Sequence, residues 1–478
     1  MWIRFFSIVL LVVLSACQER GADSNKTVFR YNQAEGISSL DPAFARSQAN
    51  IWACNQLFNG LVQLDDDLGI QACIAKSWKI SEDGLTYTFL LRKDVYFHRS
   101  AVFGKDSTRV VNAQDFVYSL GRIGNKEIAS PGLWVLNAVK KNERNEIEAF
   151  VALNDTVIQI KLEKAFPPFL GLLATSYCSV VPKEQVDQYG KDFRVNPIGT
   201  GPFMFKYWDE RNQLIYQKNP NYFEYENGER LPYLDAVSIS FIADKQAAFL
   251  EFLKGELDFV SGLDASYKDD LLTRSGELKE KYRGKFRMET CSYLNTEYLG
   301  MMMDPELSVM ADHPLNNKLV RQAINYGFDK KRMISYLRNG VGTAGEYGIL
   351  PAGLPGFDTS IESGYSYKPE HAKKLLIDAG YPGGKGLGEI ILSTTPQYQD
   401  LCEYMQGQLS EIGINIKLEV NQGAALRTLV AKQQAAMFRS SWIADYPDAE
   451  NYLSLFYSKN KAPVGPNYTH YSNNEYDQ

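Results

Sequence analysis

The stretch DLCEYMQGQLSEIGINIKLEV, residues 400–420, decides the fold class. Asp400 to Glu411 reads as a helix. Gly413 is placed to end it, because a glycine just past the last turn takes the left-handed conformation without strain. Ile414, Ile416, Leu418 and Val420 then alternate as a strand. A helix that hands over to a strand within so few residues implies α/β layering, with helices covering the faces of a sheet. Upstream, Pro369 opens a helix that runs through Ala372, Leu375, Leu376 and Ala379 and stops at Gly380. Leu319 to Tyr326 and Lys330 to Arg338 read as two more helices, the second stopped by Gly340.

Downstream, MFRSSWIADYPD at 437–448 gathers a base, an aromatic and an acid within seven positions. Pro447 forbids helix at Tyr446, and Asp448 is placed to N-cap a short helix beginning Ala449-Glu450-Asn451. The Arg-to-Asp stretch is therefore expected to be extended. Arg439, Ser441, Ile443 and Asp445 would share one face, with Ser440, Trp442 and Ala444 on the other. If the edge of such a strand is free, its N–H and C=O groups can pair with an extended ligand whatever that ligand's side chains are. An acid at one end and a base at the other suit a zwitterionic peptide.

At 478 residues the chain is long enough for two or three domains, and its 45% hydrophobic and 23% charged content is that of a globular protein. A formal net charge of −6 and no long basic run argue against a nucleic-acid partner. At the N-terminus, Arg4 precedes the apolar run Phe5 to Leu14, which is short for a bilayer span and suited to a signal-peptide core. Leu14-Ser15-Ala16-Cys17 then resembles a bacterial lipobox. Residues 1–16 are read as a signal peptide, Cys17 as the lipid-bearing first residue and 17–27 as a tether, with no other membrane segment. The remaining cysteines, 54, 73, 178, 291 and 402, contain no CxxC pair. Sequence leaves open whether any of them form disulfides.

Along the chain, Val28 to Tyr31 opens as a strand and Leu40-Asp41-Pro42 as a turn, and Asn50 to Leu61 has helical spacing. Gly84 to Phe97 alternates as a strand, Asn112 caps a helix with Asp115 in its first turn, and Thr156 to Leu162 returns to strand. Pro197-Ile198-Gly199-Thr200-Gly201-Pro202-Phe203 lacks the third glycine and helix start of a dinucleotide loop and reads as a tight backbone crossing. Asp65-Asp66-Asp67 lacks EF-hand spacing and reads as a solvated turn. No HExxH, GxSxG or phosphate-binding loop occurs, and the 4 histidines are scattered. No catalytic residue, metal site or cofactor is expected.

Five stretches, taken together and in this order, resemble the peptide/nickel class of bacterial extracellular solute-binding proteins, the oligopeptide and dipeptide receptors of ABC importers. They are Leu57-Phe58-Asn59-Gly60-Leu61, residues 85–92 (LTYTFLLR), Gly199-Thr200-Gly201-Pro202-Phe203, residues 320–326 (VRQAINY) and Trp442-Ile443-Ala444-Asp445-Tyr446. The resemblance implies an α/β, two-lobe periplasmic-binding-protein-like fold with a third subdomain inserted in lobe I, closing over ligand by a hinge. Lobe I would take 28–60 and 180–292, the insert 61–179, and lobe II 293–478. The family's return to lobe I is expected to be missing, since the sequence stops at Gln478.

The resemblance further assigns Asp445 to the ligand's α-ammonium, and Ser441, Trp442 and Ile443 to the strand that pairs with its main chain. Arg439 falls where some members hold the ligand carboxylate, and Arg46, Ser47 and Gln48 where the family pairs with the ligand's other edge. The expectation is a monomeric, non-enzymatic lipoprotein receptor on the periplasmic side of a bacterial envelope, delivering short peptides to an ABC permease. The alternatives are a metal chelate, haem or oligosaccharide as cargo, and an exported hydrolase.

Overall fold

The computed structural model describes residues 26–262, 264, 267–360 and 364–478. The signal-peptide reading, Cys17 and most of the tether lie outside these described residues. The chain divides into two compact units, residues 26–65 with 70–262, and residues 66–69 with 264–478.

The first unit opens with β1 (Val28–Asn32) and α1 (Gln48–Leu57). Ser47 caps α1 by accepting the Asn50 N–H at 3.3 Å, and the helix buries Ala53, Cys54 and Leu57. Next come β2 (Ala75–Ile80), β3 (Thr86–Leu91), α2 (Ala113–Gly124), β4 (Phe150–Asn154) and β5 (Val157–Lys161). These strands form an antiparallel sheet in the order β2-β3-β5-β4. It buries Tyr87, Phe89, Leu91, Ile158 and Ile160, the alternate positions that face inward. The expected cap of α2 is a full capping box: the Asn112 side chain accepts from Asp115 N–H at 3.2 Å, and the Asp115 carboxylate accepts from Asn112 N–H at 2.9 Å.

Then β6 (Phe203–Asp209), β7 (Gln213–Lys218) and β8 (Ala236–Ser240) complete a sheet ordered β1-β8-β7-β6, in which β1 and β8 are parallel and the other pairs antiparallel. Leu214, Tyr216, Val237 and Ile239 pack with Leu57, Cys54 and Leu40 to form its core. The glycine-rich segment ahead of β6 is the close crossing its composition predicts. A Cβ on Gly199 would stand 2.0 Å from the Leu57 carbonyl oxygen, and one on Gly201 2.5 Å from the Leu57 carbonyl carbon, so only glycine fits. His98 fastens the crossing. Its main-chain N–H donates to Gly199 O at 2.7 Å, its Nδ1 accepts from Gly199 N–H at 3.3 Å, and its Nε2 lies 3.0 Å from Gly201 O as donor. That pattern requires the neutral ring, and burial pushes the His98 pKa down to about 4.

The second unit holds β9 (Asn295–Met301), α3 (Lys318–Tyr326), α4 (Pro369–Asp378), β10 (Glu389–Thr394), α5 (Gln399–Glu411), β11 (Asn415–Val420), α6 (Gly423–Ala431), β12 (Met437–Ile443) and α7 (Ala449–Leu453). Its sheet runs β9-β12-β10-β11, with β10 parallel to both neighbours and β12 antiparallel to β9. The helix-to-strand reading of 400–420 holds: Gly413 sits at φ +93° between α5 and β11, and Ile414 N–H donates to Leu409 O at 3.0 Å. Ile390, Leu392, Ile416 and Met437 pack with Ile324, Leu376 and Leu409 in the main core. Phe438 joins a separate cluster with Leu426 and Val430 of α6. The mixed α/β class is therefore established. All five described cysteines are free thiols, four of them buried and Cys291 exposed.

Candidate functional site

Strand β12 is the backbone of the candidate site, and it is an interior strand of its sheet, so the condition of a free edge is met only where a neighbour stops short. Its register against β9 runs from Met301↔Met437 to Asn295↔Ile443. Met302 N–H donates to Ala436 O, and Ala444 N–H to Leu294 O, each at 2.9 Å and each continuing that register. Bonded pairs recur at every second residue of an antiparallel ladder. Phe438, Ser440 and Trp442 therefore turn their main-chain groups towards β9, and Met437, Arg439, Ser441 and Ile443 turn theirs the other way. On that other side β10 pairs only at Leu392↔Met437 and Ser393↔Phe438. From Ser441 onward no strand lies there among the described residues. The C-terminal half of β12 is thus open on one side, at Ser441 and Ile443.

Asp445 stands beyond the strand, in the turn, so the face alternation that was expected to include it ends at Ile443. Asp448 accepts the Glu450 N–H at 2.8 Å and caps α7, which leaves the Asp445 carboxylate outside the cap. Asp445 reaches the surface, yet protein packed on its flanks raises its pKa by desolvation, and a hydrogen bond from the Asn451 side chain opposes that rise. No ion-pair partner for Asp445 occurs among the described residues. The Asn451 Oδ1 accepts from the Trp442 indole at 2.8 Å and from the Asp445 N–H at 3.2 Å. The Tyr452 hydroxyl donates to Leu294 O at 2.5 Å, tying α7 to the chain leading into β9.

Arg439 is held within its own sheet. It is ion-paired with Glu297 of β9, lies over the Tyr398 ring, and has its pKa lowered by burial to about 10. Its side chain is 12% exposed, and its Nε is buried without a hydrogen-bond partner among the described residues.

Arg46, Ser47 and Gln48 belong to the first unit, and all three are exposed. Ser47 is extended (φ −95°, ψ 154°) and serves as the cap of α1, whereas Gln48 is already the first helical residue. A strand-like pairing segment at 46–48 is therefore cut short at Ser47. Just before it, Asp41 is 4% exposed, caps the turn at Pro42–Phe44 and is paired in two-pronged fashion with Arg122 of α2 at 3.2 and 2.7 Å.

Residues 439, 441, 442, 443 and 445 come together around β12. Sequence reading missed Asn451, Glu297 and Tyr398. Asn451 had a weak signal: a buried amide inside a short helix, where asparagine gains little from the helix itself. The other two join the site only through tertiary pairing.

Comparison with known proteins follows the same lines. The description "Bacterial extracellular solute-binding proteins, family 5 Middle" matches residues 69–463. Heme-binding protein A of Haemophilus influenzae is 28% identical over 97% of this chain and 82% of its own length. The glutathione-binding protein GsiB of Salmonella choleraesuis is 25% identical over 92% of this chain and 80% of its own length. Among solved structures, DppA of Helicobacter pylori in complex with the peptide STSA superposes with a TM-score of 0.70 at 26% identity, covering 95% of this chain and 85% of that one. HbpA2 of Haemophilus parasuis gives 0.77 at 25% identity, covering 95% and 87%. The chain belongs to the bacterial extracellular solute-binding proteins of family 5, receptors of ABC importers.

Proposed function

We propose that this receptor captures short peptides in extended form. The ligand's main chain pairs with the open side of β12 at Ser441 and Ile443, and its α-ammonium meets Asp445. The observation that carries this reading is the half-open strand leading into a carboxylate with no counter-ion among the described residues. Main-chain pairing gives affinity without regard to ligand sequence, and a desolvated carboxylate favours a cationic group over water. Trp442 supplies an apolar wall, and Arg439 receives a ligand carboxylate by exchange with Glu297; Arg46, Ser47 and Gln48 of the first unit are further ligand contacts. The peptide complex of DppA and the glutathione in the name of GsiB support a peptide cargo. Cys17 would carry the lipid that holds the receptor, a monomer, beside its permease on the periplasmic side. The receptor itself catalyses nothing.

The name of the Haemophilus influenzae relative favours haem as the second reading. Calorimetry with di- to pentapeptides, glutathione and haemin separates the two. Peptide binding that falls roughly tenfold or more in Asp445→Ala, about 1.4 kcal/mol, is the expected result. Unchanged peptide affinity removes Asp445 from the site, and tight haemin binding without peptide binding transfers the assignment to haem.

A further inference from the structure

Helix α7 buries an amide that its packing does not need. Asn451 is 3% exposed, and asparagine inside a helix competes with the helix for backbone partners. Here the side chain is put to use instead. Its oxygen takes the Trp442 indole N–H and the Asp445 main-chain N–H, and the same side chain lowers the Asp445 carboxyl pKa against the desolvation that raises it.

We infer that Asn451 is the positioning residue of this ligand site, one amide locking the Trp442 indole and the Asp445 turn backbone together so that the carboxylate carried on that turn faces a single direction. The inference rests on the reading of Asp445 as the ammonium partner. The Asn451 side chain favours the charged form of that carboxylate, opposing the desolvation that acts against it. The ionisable neighbours give no such help. Tyr446 and Tyr452 feel the Asp445 charge, Tyr293 adjoins Tyr452, Glu450 is bonded to the Tyr446 hydroxyl, and Asp448 caps the helix. All of these are acids or phenols. Arg439, the cation on β12, is paired with Glu297.

The test uses Asn451→Asp, which keeps the accepting oxygen and the shape but removes the donor and adds a like charge. Peptide affinity is measured at about pH 5.5 and about pH 8, and Asp445 is titrated by carboxyl NMR in the ligand-free receptor. The expected result is an upward shift in the Asp445 titration and a loss of affinity roughly fivefold greater at the lower pH. An equal loss at both pH values with an unmoved titration marks a purely structural role and overturns the inference. So does wild-type affinity at both. If Asn451→Asp does not fold, Trp442→Phe removes the 2.8 Å bond that anchors the amide, and an unmoved Asp445 titration there overturns the inference equally. Asp445→Ala, run alongside, reports on the parent reading: unchanged affinity there sinks the ammonium role itself, whatever Asn451 does.

Discussion

Asp41 and Asp445 are both acids at turns that contain a proline within two residues, and the protein treats them in opposite ways. Asp41 is buried, caps its turn and meets both arms of the Arg122 guanidinium, which also lies 5.6 Å from the Phe193 ring. Asp445 is exposed, caps nothing and has no cation beside it among the described residues, while Asn451 steadies its main chain and carboxylate. A carboxylate that serves the fold is satisfied from within. Under the proposed function, Asp445 is the other kind, held in place and left for the ammonium of a guest.

The largest effect that would break this contrast is on stability. Asp41→Ala strands the Arg122 charge in the interior and is expected to cost about 3–5 kcal/mol in denaturant unfolding. A loss under about 1 kcal/mol would mean that Asp41 is no more structural than Asp445.

His98 extends the comparison to acid. Its folded pKa of about 4 lies below the ordinary value near 6.5, so the unfolded chain takes up the proton first. Stability from this group is complete above about pH 6.5 and drains away as pH falls towards 4, by roughly 3 kcal/mol in all. His98→Gln should flatten that part of the stability profile, and an unflattened profile would show that other groups govern it.

Asp445→Ala should lower peptide affinity roughly tenfold while shifting unfolding stability by no more than about 0.5 kcal/mol, the pattern Asp41→Ala cannot show. The smallest expected effect is at Arg439. Glu297→Gln releases the guanidinium, and peptides with a free C-terminus should gain roughly two- to fivefold over their amidated forms, about 1 kcal/mol or less. An identical ratio in wild type and variant would mean that Arg439 does not meet the ligand carboxylate.

Local chemistry made much of the fold legible. The α5-to-β11 handover and the Asn112 capping box depend on residues close in sequence, and the glycines at 199 and 201 signal a close approach without revealing that Leu57 is what they approach; each formed where its signals stood. What was hidden depends on distant chain. Strand β9, with its polar start and Gly300, shows no clean alternation, and nothing within 437–448 reveals that β9 and β10 flank it. The site's acid and aromatic were readable as residue types at a spacing. The half-open side of β12 and the Glu297 partner of Arg439 arise only once strands far apart in sequence are paired, whereas Asn451 meets Trp442 and Asp445 within the same short stretch of chain.

Met437 and Phe438 anchor β12 in two different cores, one on each face of the sheet, so the strand cannot slide by a residue without expelling a buried side chain. The groups at Ser441 and Ile443 therefore form a fixed ruler, graduated at about 7 Å, two residues of extended chain. Under the proposed function, a guest strand laid along it is measured in dipeptide steps, and adding one residue ahead of the ammonium reverses the side to which every later side chain points.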